Sequence, residues 1–182
     1  MRTYRVEGIV LKRRNLGEAD RILTILSKEH GKIAVKAPGV RHISSRRSSH
    51  VELLNFSEFT LYRSSKTFLP IVTQAQTLDN FSAIKKDLHK IGFAYYVCEL
   101  INGLCADNQE NRGVFFHLKS TLLELSQTAN AASLIKRFEE SLLKELGFWS
   151  EAKLLQTQDS QIVMEKLLER KIKTLRVIPL FA

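Results

Sequence analysis

Residues 21–37 read RILTILSKEHGKIAVKA, two short apolar runs joined by a turn. Arg21 to Ser27 alternates only weakly because both of its faces are apolar, as in a strand of a closed or covered sheet. His30-Gly31 supplies the turn. From Lys32 to Ala37 the alternation returns, sending Lys32 and Lys36 to one side of a second strand and Ile33 and Val35 to the other. Upstream, Tyr4 to Lys12 is rich in β-branched residues with Gly8 as a bend. Downstream, Pro38-Gly39 ends the hairpin and opens a long loop. Glu52 to Arg63 resumes strand character, but its apolar parity changes from Leu54 and Phe56 to Phe59 and Leu61, which predicts a bulge or bend near Ser57-Glu58. Phe68 to Thr77 is a fifth strand, with Pro70 at an edge or start.

Five strands in eighty residues, with a bend and long connections, predict a small β-barrel of the oligonucleotide-binding (OB) kind. From about Asn80 the period becomes helical. Ile84, Leu88, Ile91, Tyr95, Cys98, Asn102 and Cys105 follow at steps of four and three on one stripe, with Gly92 and Gly103 as interruptions or ends. Asp107 to Asn111 offers capping groups ahead of Val114, Phe115, Leu118, Leu122 and Leu125. Ser133 can cap a third helix carrying Leu134, Phe138, Leu142 and Leu146, ended at Gly147. A fourth runs from about Gln158 to Lys173. The expectation is an α+β chain, a five-stranded OB-type barrel over residues 1–79 followed by a helical bundle over residues 80–182.

The chain has 182 residues, 28 Lys and Arg against 19 Asp and Glu, and a formal charge of +9. At this length about 70% of the unfolded surface can be buried, enough for one compact body or two small cores. The first eighty residues hold 14 basic and 7 acidic side chains, net +7, and the remainder 14 and 12, net +2. An acidic partner is therefore expected, bound mostly by the N-terminal part. Met1 to Lys12 has no signal-peptide apolar run and no stretch reaches membrane-span length, so a cytoplasmic, nucleoid-associated protein without a membrane partner is expected. Cys98 and Cys105, seven apart in a helical pattern, read as reduced core thiols, too distant to bridge. With no CxxC or CxxH group, neither a metal nor a cofactor is expected.

Residues 30–51 (HGKIAVKAPGVRHISSRRSSHV) contain Lys32, Lys36, Arg41, Arg46 and Arg47 and no carboxylate. A cationic loop held between strands, without neutralisation along the sequence, is suited to a polyanion. The candidate DNA-binding residues are Arg41, Arg46 and Arg47 foremost, with Arg13, Arg14, Lys32, Lys36 and Lys66. Phe56, Phe59, Tyr62 and Phe68 are candidates for stacking on bases, although strand aromatics at these spacings more often belong to a core.

The order GIVLKRRNLGEADRILTILSKEHGKIAVKAPGVRHISSR resembles the N-terminal signature of the bacterial DNA repair protein RecO family. Its strand ending in G-x-V-L matches Gly8 to Leu11, its G-E-x-D turn Gly17 to Asp20, its E-x-G-K hairpin Glu29 to Lys32, and its basic loop Gly39 to Arg46. AYYVCEL from Ala94 to Leu100 and RFEESLLKELGF from Arg137 to Phe148 resemble later family segments. The chain departs from the family in having no four-cysteine zinc module after the L-G segment, so zinc is not expected, and in His42, Ile43 and Ser44 where members often carry more basic residues or proline. The resemblance implies a non-catalytic recombination mediator. Such a protein binds single- and double-stranded DNA, anneals strands, and with RecR helps to load RecA onto DNA coated by single-strand-binding protein. The helical half of such a protein receives the acidic C-terminal tail of single-strand-binding protein.

Two other readings are open to the residues. Glu18 and Asp20 offer half of a metal-dependent nuclease site, but their spacing is that of a turn before a strand; His42 and His50 lack an evident nucleophile or carboxylate partner, and His89 and His117 fall on helices as surface or satisfied interior residues. The chain is therefore read as non-enzymatic. An OB-type RNA-binding module, or an adaptor holding partner tails in its helical half, remains the alternative class.

Overall fold

The computed structural model describes residues 2–63, 65 and 67–176. Its first strand, β1 (Arg2–Leu16), serves two neighbours. Residues 2–9 pair antiparallel with β4 (Phe56–Arg63), from Arg2 opposite Arg63 to Ile9 opposite Phe56, and residues 8–16 pair with β2 (Asp20–Ser27). Gly8 lies where the strand passes between partners. A β-carbon there would lie 2.3 Å from Ile25 Cγ2 and 3.1 Å from the Leu26 carbonyl oxygen, so only glycine admits the close crossing. A bulge between Val10 and Lys12 lets the strand coil onward.

β2 continues through the turn at residues 28–30 into β3 (Gly31–Ala37), and β5 (Ile71–Asp79) joins β3 in parallel at Lys36–Ile71 and β4 in antiparallel register. The ring closes in the order β1-β2-β3-β5-β4, the five-stranded barrel with OB-type connectivity. Val6, Val10, Leu23, Ile25, Ile33, Val35, Phe59, Leu61 and Val72 fill its interior. Val40 and Val51, from the β3–β4 connection, are buried in the same core. The basic connection is thus pinned to the barrel at two points and contains a 3-10 turn at Ser48–Val51.

The parity change in the fourth strand falls beside a register shift between Phe56 and Ser57, next to the expected bulge. Ser57, Phe59 and Leu61 keep one inward parity and are fully buried, Leu54 lies ahead of the strand in a left-handed conformation (φ 68°), and Phe56 turns to Phe115 with ring centroids 6.1 Å apart. The irregularities lie in the pairing with β5, between Phe56 and Ser57 and between Thr60 and Leu61, where β5 carries the extra residues Leu78 and Thr73.

The helical elements are α1 (Ser82–Lys85), α2 (Leu88–Leu104), α3 (Arg112–Gln127), α4 (Ala131–Glu145), α5 (Trp149–Leu154) and α6 (Ser160–Leu168). The chain divides into two compact units, residues 1–80 with 106–115, and residues 81–105 with 116–182. The return of residues 106–115 to the barrel unit is beyond the single boundary drawn from periodicity. Asn108 N–H donates to the Lys32 carbonyl at 2.8 Å, and Asp107 forms a bridge with Lys32.

Within the helical unit the expected first stripe is only partly inward. Leu88 is 60% exposed and Tyr95 37%, whereas Gly92, Ala94, Tyr96, Val97, Cys98, Leu100 and Ile101 are buried, so α2 is covered on most of its circumference. The break falls at Lys86-Asp87, where Asp87 caps α2 by accepting from the His89 and Lys90 N–H groups. Gly92 and Gly103 lie inside the helix. A β-carbon on Gly103 would come 2.2 Å from Leu168 Cδ2, so this glycine serves helix packing. Asn130 caps α4 and Gly147 (φ 86°) follows its end; Asp159 caps α6. Cys98 and Cys105 are buried and form no disulfide, and burial pushes the Cys98 thiol up to about 12.

Candidate nucleic-acid interface

Neutralisation of the acid-free stretch comes from residues distant in sequence. Lys32 is 8% exposed and its ammonium lies 3.1 Å from an Asp107 carboxylate oxygen. Lys36 is half-buried and paired with Asp20 at 2.9 Å, while the other Asp20 oxygen accepts from Gly39 N–H at 2.8 Å. The Lys36 bond, reinforced by Gly39 N–H, holds the Asp20 carboxyl below the usual carboxylate range. Asp20 therefore fastens the start of the basic connection to the barrel. Glu18 is exposed in the β1–β2 turn.

Arg47 is fastened by backbone carbonyls. One guanidinium nitrogen donates to Val72 O at 2.6 Å and the other to Pro38 O at 2.8 Å, tying the connection across β5. His50 Nδ1 accepts from Thr77 N–H at 3.2 Å, so its role is also in the scaffold. Arg13 shares Glu52 with Arg21, whose Nη1 lies 2.9 Å from Oε1. Arg14, Arg41 and Arg46 are exposed. Arg41 donates to Gly17 O at 2.8 Å, and among the described residues no carboxylate pairs with Arg14 or Arg46. Lys66 lies outside the described residues.

The sheet register gathers part of this set. Arg14 is opposite Ile22 on β2, and Ile22 is opposite Lys36 on β3, so Arg14, Ile22 and Lys36 form one cross-strand row on the outer wall of β1, β2 and β3. Lys12 lies one row along, opposite Thr24. Arg41 joins this end of the wall through two bonds to the β1–β2 turn, its side chain to Gly17 O and its N–H to Ala19 O at 2.9 Å. Lys36 N–H also donates to Pro70 O at 2.8 Å, bringing the end of the β4–β5 connection to the same corner. That connection carries Phe68, which is 98% exposed. Among the aromatic candidates, Phe56 and Phe59 are buried and Tyr62 is half-buried, leaving Phe68 as the open ring.

Arg46 and Arg47 belong elsewhere. With Arg5 they line a groove of about 420 Å³ on the outer wall of β4 and β5, together with Glu58, Thr60, Thr73, Gln74 and Gln76. The candidate cations therefore separate into a β1–β2–β3 group, a β4–β5 group, and Lys32 and Arg13, which are engaged with carboxylates. Periodicity locates each residue on its strand, but the closing partners Asp107 and Glu52 come from other segments and left no local signal.

The helical unit has a cavity of about 490 Å³ lined by Phe93, Ile135, Leu155, Lys136, Glu139 and Asp159 among others. Glu139 is 3% exposed and accepts a hydrogen bond from the Tyr96 hydroxyl. Burial raises the Glu139 carboxyl above its ordinary range, against the opposing hydrogen bonds from Tyr96 and Ser160. Among the described residues no three His, Cys, Asp or Glu side chains are grouped to hold a metal ion, and no helix is long and apolar enough to cross a membrane.

The architecture defines the class: an α+β protein with an OB-type barrel and a helical unit. Comparison with known families agrees segment by segment. The family model described as Recombination protein O N terminal matches residues 1–81, and that described as Recombination protein O C terminal matches residues 85–150. A protein named DNA repair protein RecO from Roseiflexus sp. (strain RS-1) is 39% identical over 147 residues, which are 81% of this chain and 51% of that protein. Its namesake from Pelotomaculum thermopropionicum is 35% identical over 148 residues, 81% of this chain and 57% of the relative. The chain belongs to the RecO family of DNA repair proteins. It spans a little over half the length of these curated relatives.

Proposed function

We propose that the chain is a non-catalytic DNA-binding protein of recombinational repair, and that single-stranded DNA crosses the outer wall of β1, β2 and β3. The observation that carries this reading is the row Arg14–Ile22–Lys36, with Lys12 beside it and Arg41 at the turn. These cations would take phosphates, giving affinity without base preference. Phe68, at the corner marked by the Lys36–Pro70 bond, would stack on a base, as exposed rings do in single-strand-binding barrels. Asp20 lowers the net charge at Lys36 but fixes its position, so the ammonium needs little ordering on binding.

Duplex DNA would use the same phosphate contacts without the stacking. Strand annealing, action with RecR in loading RecA, and capture of the acidic tail of single-strand-binding protein by the helical unit are proposed from membership of the family, as is a cytoplasmic, nucleoid-associated location. The cavity beside Glu139 is a poor match to an acidic tail, since Lys136 faces two carboxylates there, Glu139 and Asp159. A tail would therefore bind the helical unit on another surface.

Photo-cross-linking of a bromodeoxyuridine-substituted single strand, followed by peptide mapping, tests the face. Adducts on the peptides containing Phe68 and residues 36–41 are expected, with loss of the Phe68 adduct and retained binding in Phe68→Ala. Adducts confined to the helical unit would overturn the proposal. Efficient competition by RNA but not DNA would replace it with an RNA-binding reading.

A further inference from the structure

We propose that the groove on the outer wall of β4 and β5 is a second phosphodiester track, so that one barrel holds two strands on different walls. The inference rests on the DNA-binding reading above and extends it to a separate site.

The ring order places β4 and β5 together, beyond the other edge of β1 and apart from the β1–β2 pairing that carries Arg14. On this wall Arg47 is fixed by bonds to Val72 O and Pro38 O, and the adjacent Arg46 is thereby held over the groove with its side chain exposed. Arg5 enters from the β4-paired half of β1, opposite Thr60. Glu58 lies 3.7 Å from its guanidinium, a long surface pairing that a phosphate can displace at little cost. The floor offers hydroxyl and amide groups from Thr60, Thr73, Gln74 and Gln76. Thr73 Oγ1 donates to Thr60 O at 3.0 Å, leaving the amides of Gln74 and Gln76 as the adaptable donors.

The composition selects the ligand class. Among the described residues lining the groove, three guanidinium groups face one carboxylate, and Ala75 is the sole apolar side chain. An acidic peptide with hydrophobic anchors would find little apolar side-chain surface here. A phosphodiester backbone, which presents repeated anionic acceptors and needs none, fits. The first wall, with Ile22 in its row and Phe68 at its corner, accommodates bases; this one accommodates backbone alone. A strand held by its backbone leaves its bases outward and available for pairing.

The test is titration of the full chain with a short fluorescent oligothymidylate, with circular dichroism melting as the control for folding. Wild type is expected to take two strands, and Arg46→Glu and Arg14→Glu one each. Arg46→Glu should weaken the affected phase by about tenfold or more, out of the concentration range that saturates wild type, and lower its salt slope by about one. Glu58→Gln, which removes the groove's carboxylate without loss of a hydrogen-bonding side chain, should tighten that same phase and speed annealing of complementary strands. Two strands bound by Arg46→Glu with unchanged affinity, or a single wild-type strand lost in Arg14→Glu alone, would overturn the second track and leave the first reading standing. A single strand lost in Arg46→Glu alone would instead overturn the first wall. An unchanged second phase in Glu58→Gln would also count against the groove.

Discussion

A β-carbon on Gly31 would lie 1.8 Å from the carbonyl oxygen of Gln109, so these two residues, 78 positions apart, are in the closest approach that glycine permits. Gly31 also has φ +63° at the head of β3. Replacement by alanine meets both a clash with backbone and an unfavourable left-handed conformation. Gly31→Ala is expected to destabilise the barrel unit by about 2–4 kcal/mol and to free residues 106–110, seen as increased proteolysis there and a lowered melting temperature. An unchanged melt would show that the return of 106–115 does not hold the barrel.

Arg46 and Arg47 are neighbours in sequence and opposite in role. Arg47 is bound to the carbonyls of Val72 and Pro38, and its replacement leaves partly buried acceptors unpaired. Arg47→Ala should cost about 2 kcal/mol of stability, whereas Arg46→Ala should change stability by less than about 0.5 kcal/mol. Thermal or chemical denaturation of both variants checks the division, and equal effects would contradict it.

Glu139 supplies a pH signature. Its carboxyl is raised by burial, so the native state holds a proton that the unfolded chain has released once pH exceeds the ordinary carboxylate value. Stability from this group is full below that value and falls as pH rises through the native one. Glu139→Gln keeps an acceptor for the Tyr96 hydroxyl and removes the buried charge. It should raise the melting temperature by about 2–4 °C at pH 7, with the difference from wild type shrinking as pH falls toward the ordinary carboxylate range. A variant less stable at pH 7 would show that the ionised carboxylate is well compensated.

Lys32 and Asp107 make a further test of the barrel's closure. Because Lys32 is buried and Asp107 exposed, the pair is asymmetric: Lys32→Met removes a desolvated charge while keeping the stem, and Asp107→Ala leaves that charge without its carboxylate. Asp107→Ala is expected to be the more destabilising, by about 1 kcal/mol or more. Neither change should alter DNA affinity by more than about twofold, and a large loss of binding in Lys32→Met would return Lys32 to the interface.

The barrel was legible because its signals are local. Alternation in Gly31 to Ala37, the double apolar face of Asp20 to Ser27, and glycine at residues 8 and 31 all follow from strand geometry. The helical stripe beginning at Ile84 was less legible, because α2 is buried around most of its circumference and has no single apolar face to read. The cationic loop was legible as a feature. Its electrostatics were not, because Asp20, Glu52 and Asp107 lie outside residues 30–51 and backbone carbonyls bind Arg41 and Arg47. Net charge along a sequence counts side chains, whereas an interface depends on where the fold places those cations and what it pairs them with.

The most direct test of the proposed DNA-binding wall is the salt dependence of single-strand binding at low protein concentration, for wild type and for Arg14→Gln, Lys36→Gln, Arg41→Gln combined. Neutralising about four phosphates gives a wild-type slope of log K against log salt near −3, and loss of three contacts should flatten it by about two. A variant that binds with the wild-type slope would contradict the account.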